Sequence, residues 1–217
     1  MGITRIIAPS VLSADFGNLK QSCELINRSA AEWLHVDVLD GVFVPNMSFS
    51  FPIIEVLKKY CHKPLDVHLM IVEPEKYLER YVEAGADILT VHYEAVKNPI
   101  HTLNSIRTLG VKAGIAINPD IPVESLRGLI RYSDMVLLMS VFAGFGGQKF
   151  IEDTWERIDE LKKLIEEENP GCLIEIDGGI NRDNAPRLFE QGAHVLVAGS
   201  AVYNSSDPLE EIRVMLD

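Results

Sequence analysis

A chain of 217 residues that is 47% apolar and 24% charged has the balance of a globular protein, which excludes a disordered one. Its 20 basic and 32 acidic residues leave a net charge of −12, a poor footing for binding nucleic acid or an anionic membrane. The length suits one domain over residues 1–217, in which any bound anion would need a local site working against the overall field.

The start, Met1 to Ile6, runs into Pro9 and Asp15 before an apolar signal region can form. Gly2 fails the N-myristoylation pattern because position 6 is Ile. Strands are then expected near Arg5–Pro9, Trp33–Val38, Leu65–Met70, Ile88–His92, Lys112–Ile117, Met135–Val141, Leu173–Ile176 and Val195–Ala198. The apolar run from Met135 is broken by Ser140 and Gly144, so it is too short to span a bilayer. Helical stretches alternate with the strands. The clearest is 152–168, with Ile158, Leu161 and Ile165 at spacings of three and four. Pro74 and Pro122 open helices, and Gly85, Gly110 and Gly192 close them. Glu83-Ala84-Gly85-Ala86 and Glu190-Gln191-Gly192-Ala193 echo one another, each leading from a helix end into a strand. Eight units of about 27 residues predict a single α/β (β/α)8 TIM barrel. An open doubly wound sheet would need a glycine turn after its first strand, and Pro9-Ser10-Val11-Leu12 is not one.

Chemistry in such a barrel sits at the C-terminal ends of the strands. Side chains alternate along a strand, so His35 and Asp37 share one side, as do Asp66, His68 and Met70. The seventh strand ends in Glu175-Ile176-Asp177. His35, Asp37, His68 and Asp177 offer two imidazoles and two carboxylates. That set suits one zinc, iron(II), manganese or cobalt ion, or else a hydrogen-bonded polar layer inside the barrel. Four buried ionisable groups are costly without an ion, which favours the metal. His92 and Glu94 alternate in the same way with a weaker claim. Gly144-Phe145-Gly146-Gly147, Gly178-Gly179 and Gly199-Ser200 follow strands six, seven and eight, where backbone amides can approach a phosphate closely. The start of a short helix at Ser200 would assist. Lys112 begins a strand, at the face away from the site. Cys23, Cys61 and Cys172 are odd in number and form no Cys-x-x-Cys, so they read as core residues in a reducing cytoplasm.

Seven blocks in order carry a resemblance. They are Pro9 to Phe16; His35 to Gly41 with Phe43-Val44-Pro45-Asn46; Asp66 to Met70; Met139-Ser140-Val141; Gly144 to Gln148; Asp177 to Ile180; and Gly199-Ser200-Ala201. On these the chain resembles the ribulose-phosphate 3-epimerase family, nearly end to end. The resemblance implies a metal-dependent epimerase of the pentose phosphate pathway, interconverting D-ribulose 5-phosphate and D-xylulose 5-phosphate through an ene-diolate. It implies His35, Asp37, His68 and Asp177 as ligands of one divalent metal, with Asp37 and Asp177 also the catalytic acid/base pair. Ser10, His68, Gly144, Phe145, Gly146, Gly147, Gly178, Gly179, Gly199 and Ser200 would contact the sugar phosphate, and Leu39, Met70 and Met139 would line the pocket. It also implies a homo-oligomer, a dimer or hexamer. Two positions depart from the family pattern: Leu39 stands where Met is usual, and Phe142-Ala143 where Asn-Pro is usual. Phe142, at a strand end, is expected to pack on the neighbouring strand. The competing readings are an epimerase of allulose 6-phosphate and an inactive phosphate-binding barrel. A barrel decarboxylase would need a lysine among the strand-end aspartates, and Asp37-Val38-Leu39-Asp40 has none.

Overall fold

The computed structural model describes residues 4–217. Gly2, with its failed acylation pattern, and the first three residues of the expected domain lie outside that range. In chain order the elements are β1 (Ile6–Ala8), α1 (Leu19–Arg28), β2 (Leu34–Leu39), α2 (Phe51–Tyr60), β3 (Leu65–Met70), α3 (Leu78–Ala84), β4 (Ile88–His92), α4 (Pro99–Thr108), β5 (Lys112–Ile117), β6 (Met135–Met139), α5 (Thr154–Glu168), β7 (Leu173–Asp177), α6 (Ala185–Gln191), β8 (Val195–Val197), α7 (Ser200–Tyr203) and α8 (Pro208–Leu216).

All strand pairs are parallel, and the strands follow the order β1-β8-β7-β6-β5-β4-β3-β2. The ring closes between β1 and β2 through a bridge from Ser10 to His35, where the His35 amide donates to the Pro9 carbonyl at 3.0 Å. Closure of the sheet excludes the doubly wound alternative and gives the (β/α)8 barrel.

The strand alternation divides the residues between two cores. Outward residues such as Ile7, Val67, Leu89, Val136 and Ile174 pack against Ile54, Ile106, Leu161 and Phe189 of the helices. The spacing of Ile158, Leu161 and Ile165 places all three on the buried face of α5. Inward residues fill the barrel. Ile6, Trp33, Ile88, Met135 and Val195 plug its N-terminal end. Above them the inward positions turn polar, with His35 paired in register with Asp66, and Asp37 with His68.

Gly85 and Gly192 fulfil the echo seen in the sequence. They close α3 and α6 at φ 121° and 119°, a region that side chains rarely enter. Two predicted helices are shorter than expected. Pro74 and Pro122 open only 3-10 turns, Pro74–Lys76 and Val123–Leu126. The β5–β6 connection forms no α-helix, because Pro119, Pro122 and Gly128 (φ 81°) interrupt the segment. No helix among the described residues is long and apolar enough to cross a membrane.

Candidate active site

The C-terminal ends of β2, β3 and β7 bring four of the predicted residues to one point. His35 Nε2 lies 3.3 Å from Asp37 Oδ1 and 3.9 Å from Asp177 Oδ2. His68 Nδ1 lies 3.4 Å from Asp37 Oδ1 and 3.7 Å from Asp177 Oδ2. Both nitrogens are buried and make no hydrogen bond among the described residues. Two orphaned ring nitrogens aimed at two carboxylates are expensive in a protein alone. Metal–ligand bonds of about 2.0–2.2 Å set neighbouring donors roughly 3.3–3.6 Å apart around a tetrahedral ion, so these separations fit a divalent cation.

A second trio, His35, Asp66 and Glu175, also has its donor atoms close together. Here His35 Nδ1 is only 2.6 Å from Asp66 Oδ2, a hydrogen bond with no room for an ion between. With a cation at Nε2, His35 would keep its proton on Nδ1 and donate it to Asp66. Asp66 and Glu175 are fully buried beneath the cluster. The sequence had shown both on inward positions beside His68 and Asp177, yet no role was expected of them. That shared parity was the available signal.

The electrostatics separate the two aspartates. Burial works against charge on Asp37, but His35 and His68 beside it hold its carboxyl well below the usual range. Ser10 Oγ donates to Asp37 Oδ2 at 2.5 Å, which also favours the ionised form. Burial and then the charge of Asp37 push Asp177 up to about 7. Burial also tends to neutralise His35, but Asp37 and Asp66 outweigh it and raise its pKa; burial lowers that of His68. Burial and then Asp66 push Glu175 well above the usual carboxylate range.

Over this cluster opens a cleft at the C-terminal ends of the strands. Ser10, Asp37, Met70, Met139, Gly144, Phe145, Gly146, Gly147, Asp177, Gly178, Gly179, Gly199 and Ser200 line it, as expected, together with Leu12, Ser13, Val141, Gln148, Ile180 and Val197. No Lys or Arg does. The amides of Gly146, Gly147, Gly179, Gly199 and Ser200 donate no hydrogen bond among the described residues. They form a rim of unspent donors. The short α7, four residues long, adds little dipole, so these amides must serve individually. A Cβ on Gly179 would stand 2.5 Å from the Phe150 amide nitrogen, and φ there is +67°. Glycine at 179 is therefore required by the fold as well as suited to a ligand.

Three expectations need correction, for Leu39, His68 and Phe142, while His92 stays outside the ligand set as its weaker claim implies. Leu39 does not line the cleft; it packs with Val44 and Met70 instead. His68 is fully buried and turns no surface to the cleft, so its expected substrate contact has no opening. His92 is not in the four-residue cluster: its Nε2 lies 2.9 Å from His68 Nε2, one layer behind. Phe142 is 52% exposed, not packed away in the core. The reason lies in how its loop is held. Gln148 Nε2 donates to the carbonyls of Phe142 and Phe145, Asn46 Nδ2 donates to that of Gly144, and Asn118 Oδ1 accepts from the Ala143 amide. Gln148, Asn46 and Asn118 were not foreseen in this role. Isolated polar residues in loops give no periodic signal.

The chain matches the Ribulose-phosphate 3 epimerase family over residues 6–203. It belongs to that family. The ribulose-phosphate 3-epimerase of Bacillus subtilis (strain 168) is 46% identical over 211 residues, covering 95% of this chain and 97% of its own. The chloroplastic ribulose-5-phosphate-3-epimerase of Arabidopsis thaliana is 43% identical, covering 96% of this chain and 75% of its own. Solved structures of lower identity share the barrel. KGPDC from Streptococcus mutans superposes with a TM-score of 0.71 at 15% identity, over 99% of this chain and 96% of that one. 3-Hexulose-6-phosphate synthase from Salmonella typhimurium gives 0.67 at 17%, with the same coverage. At such identities the likeness concerns the fold alone.

Proposed function

We propose that Asp37 and Asp177 are the proton carriers of a ribulose-phosphate 3-epimerase, which interconverts D-ribulose 5-phosphate and D-xylulose 5-phosphate. Inverting carbon 3, next to the ketone, requires a proton to leave one face and another to arrive at the opposite face. The observation that carries this reading is geometric: two aspartates from different strands line one cleft, each facing His35 Nε2 and His68 Nδ1. In one direction Asp37 takes the proton from carbon 3 while Asp177 delivers one to the other face. In the reverse direction the roles exchange. Ser10 steadies the Asp37 oxygen that faces away from the imidazoles. Met70 and Met139 keep water from the reacting carbon. His35, Asp37, His68 and Asp177 would hold one divalent ion, whose charge would offset negative charge developing on the substrate oxygens. The donor set admits zinc, iron(II), manganese or cobalt. Elemental analysis of gently purified protein is expected to give about one such ion per chain, and chelation is expected to abolish turnover. Full activity in metal-free protein contradicts the site.

The phosphate rests on the free amides of residues 146, 147, 179, 199 and 200. The span from the carboxylates to those amides selects the sugar. Allulose 6-phosphate carries one more CHOH between reacting carbon and phosphate. A misfit of one such unit is worth about 1–3 kcal/mol, so ribulose 5-phosphate is expected to win by at least about tenfold in kcat/KM. Parallel kinetics on the two sugars read this directly; equal values would move the assignment to the ketohexose.

The same reading carries a cytoplasmic homo-oligomer, a dimer or hexamer. Three buried, unbridged cysteines among the described residues support a reducing compartment. Light scattering of the purified protein reads the assembly, and a monomer at working concentration contradicts it.

A further inference from the structure

We propose that His92 and Glu94 are positioning residues that lock His68 as a ligand through Nδ1, an inference that rests on the metal reading above. A ligating ring nitrogen carries no proton, so the proton of His68 belongs on Nε2. That atom lies 2.9 Å from His92 Nε2. Two ring nitrogens this close need one donor and one acceptor. His68 donates, and His92 accepts. The ring planes differ by 24° with centroids 4.9 Å apart, so the rings meet nearly edge to edge and the N–H points at a lone pair. The proton of His92 then lies on Nδ1, which faces Glu94 Oε2 at 3.5 Å. An ordinary bond there needs a shift of about 0.6 Å.

His92 and Glu94 are each held by other contacts, and His92 Nδ1, buried with no hydrogen-bond partner among the described residues, has Glu94 to turn to. His92 is fully buried, and the Phe43 ring packs on it at 4.8 Å between centroids. Glu94 Oε1 accepts from the Asn118 amide at 3.1 Å and from Asn118 Nδ2 at 2.9 Å. Asn118 in turn holds the loop after β6 through the Ala143 amide. His35 gains its orientation from a carboxylate directly, through Asp66, whereas His68 gains it from a carboxylate one imidazole away. The role explains why a His and a Glu alternate at the end of β4 without joining the four-residue cluster.

The test is cobalt(II) affinity, by competition with a chelator, and the visible spectrum of the cobalt-loaded protein. His92→Leu removes the acceptor. It is expected to weaken binding by about 10–100-fold and to change the cobalt spectrum. His92→Gln puts a carbonyl oxygen near the lost nitrogen and is expected to restore affinity to within about threefold. Circular dichroism and apo-protein melting report folding separately. His92→Leu binding cobalt like the wild type, or His92→Gln binding as weakly as His92→Leu, overturns the relay. Should His92→Leu fail to fold, Glu94→Gln decides: a several-fold weaker affinity supports the relay, and wild-type affinity overturns it. A wild-type protein that binds no cobalt overturns the metal reading as well, which separates the two failures.

Discussion

Asp177→Asn and Asp37→Asn are each expected to lower kcat on ribulose 5-phosphate by at least about 10³-fold, the scale of a lost general acid or base. Asparagine keeps the shape of the side chain, so packing changes little. It cannot carry the proton, and it removes one negative donor from the four-residue cluster. The two variants differ in what else they disturb. At position 37 the substitution also breaks the charge-assisted bond from Ser10 and takes the nearest carboxylate from His35 Nε2 and His68 Nδ1. At position 177 it removes the group whose pKa is raised to about 7, and with it one of the two faces of proton delivery. Steady-state kinetics on folded variants check this. Either variant retaining more than about a tenth of wild-type kcat would remove that residue from proton transfer.

Ribulose without its phosphate is expected to lose at least about 10³-fold in kcat/KM. Each amide bond to a charged oxygen is worth about 1.5–3 kcal/mol in a site already desolvated, and two or three such bonds reach that factor. The amides of residues 146, 147, 179, 199 and 200 are among the rim's unspent donors, and no basic side chain among the described residues shares the load. With a net charge of −12 the protein's own field offers the dianion nothing, so the local donors must supply the whole of it. Comparing the two sugars under subsaturating conditions reads the effect; equal turnover would mean that the glycines serve the turns alone.

Much of this was legible before the fold. Period-two alternation put His35 with Asp37 and Asp66 with His68, and the barrel's geometry said which ends of the strands mattered. The β3, β4 and β5 boundaries match the expected ones residue for residue, because each apolar run is bounded by turn residues or charge. Depth was not legible. Alternation says that His68 points inward but not that it lies beneath the cleft instead of on its surface. It gave His92 the same parity as the ligands, while the position of β4 around the barrel placed His92 against His68. Phe142 shows the other gap. An aromatic at a strand end is usually packed, but hydrogen bonds from Gln148 to the loop carbonyls hold this one outward, and no sequence pattern announces them.

In the proposed mechanism two carboxylates serve opposite faces of carbon 3. Brief turnover of ribulose 5-phosphate in heavy water tests it most directly, with product and residual substrate analysed before equilibrium. A proton carried by Asp177 exchanges with solvent and arrives as deuterium, while the proton taken by Asp37 returns to substrate only on reversal. Xylulose 5-phosphate is expected to carry one deuterium at carbon 3, and residual ribulose 5-phosphate to remain largely unlabelled. Deuterium at carbon 1, or label entering the residual substrate as fast as the product, would contradict this mechanism.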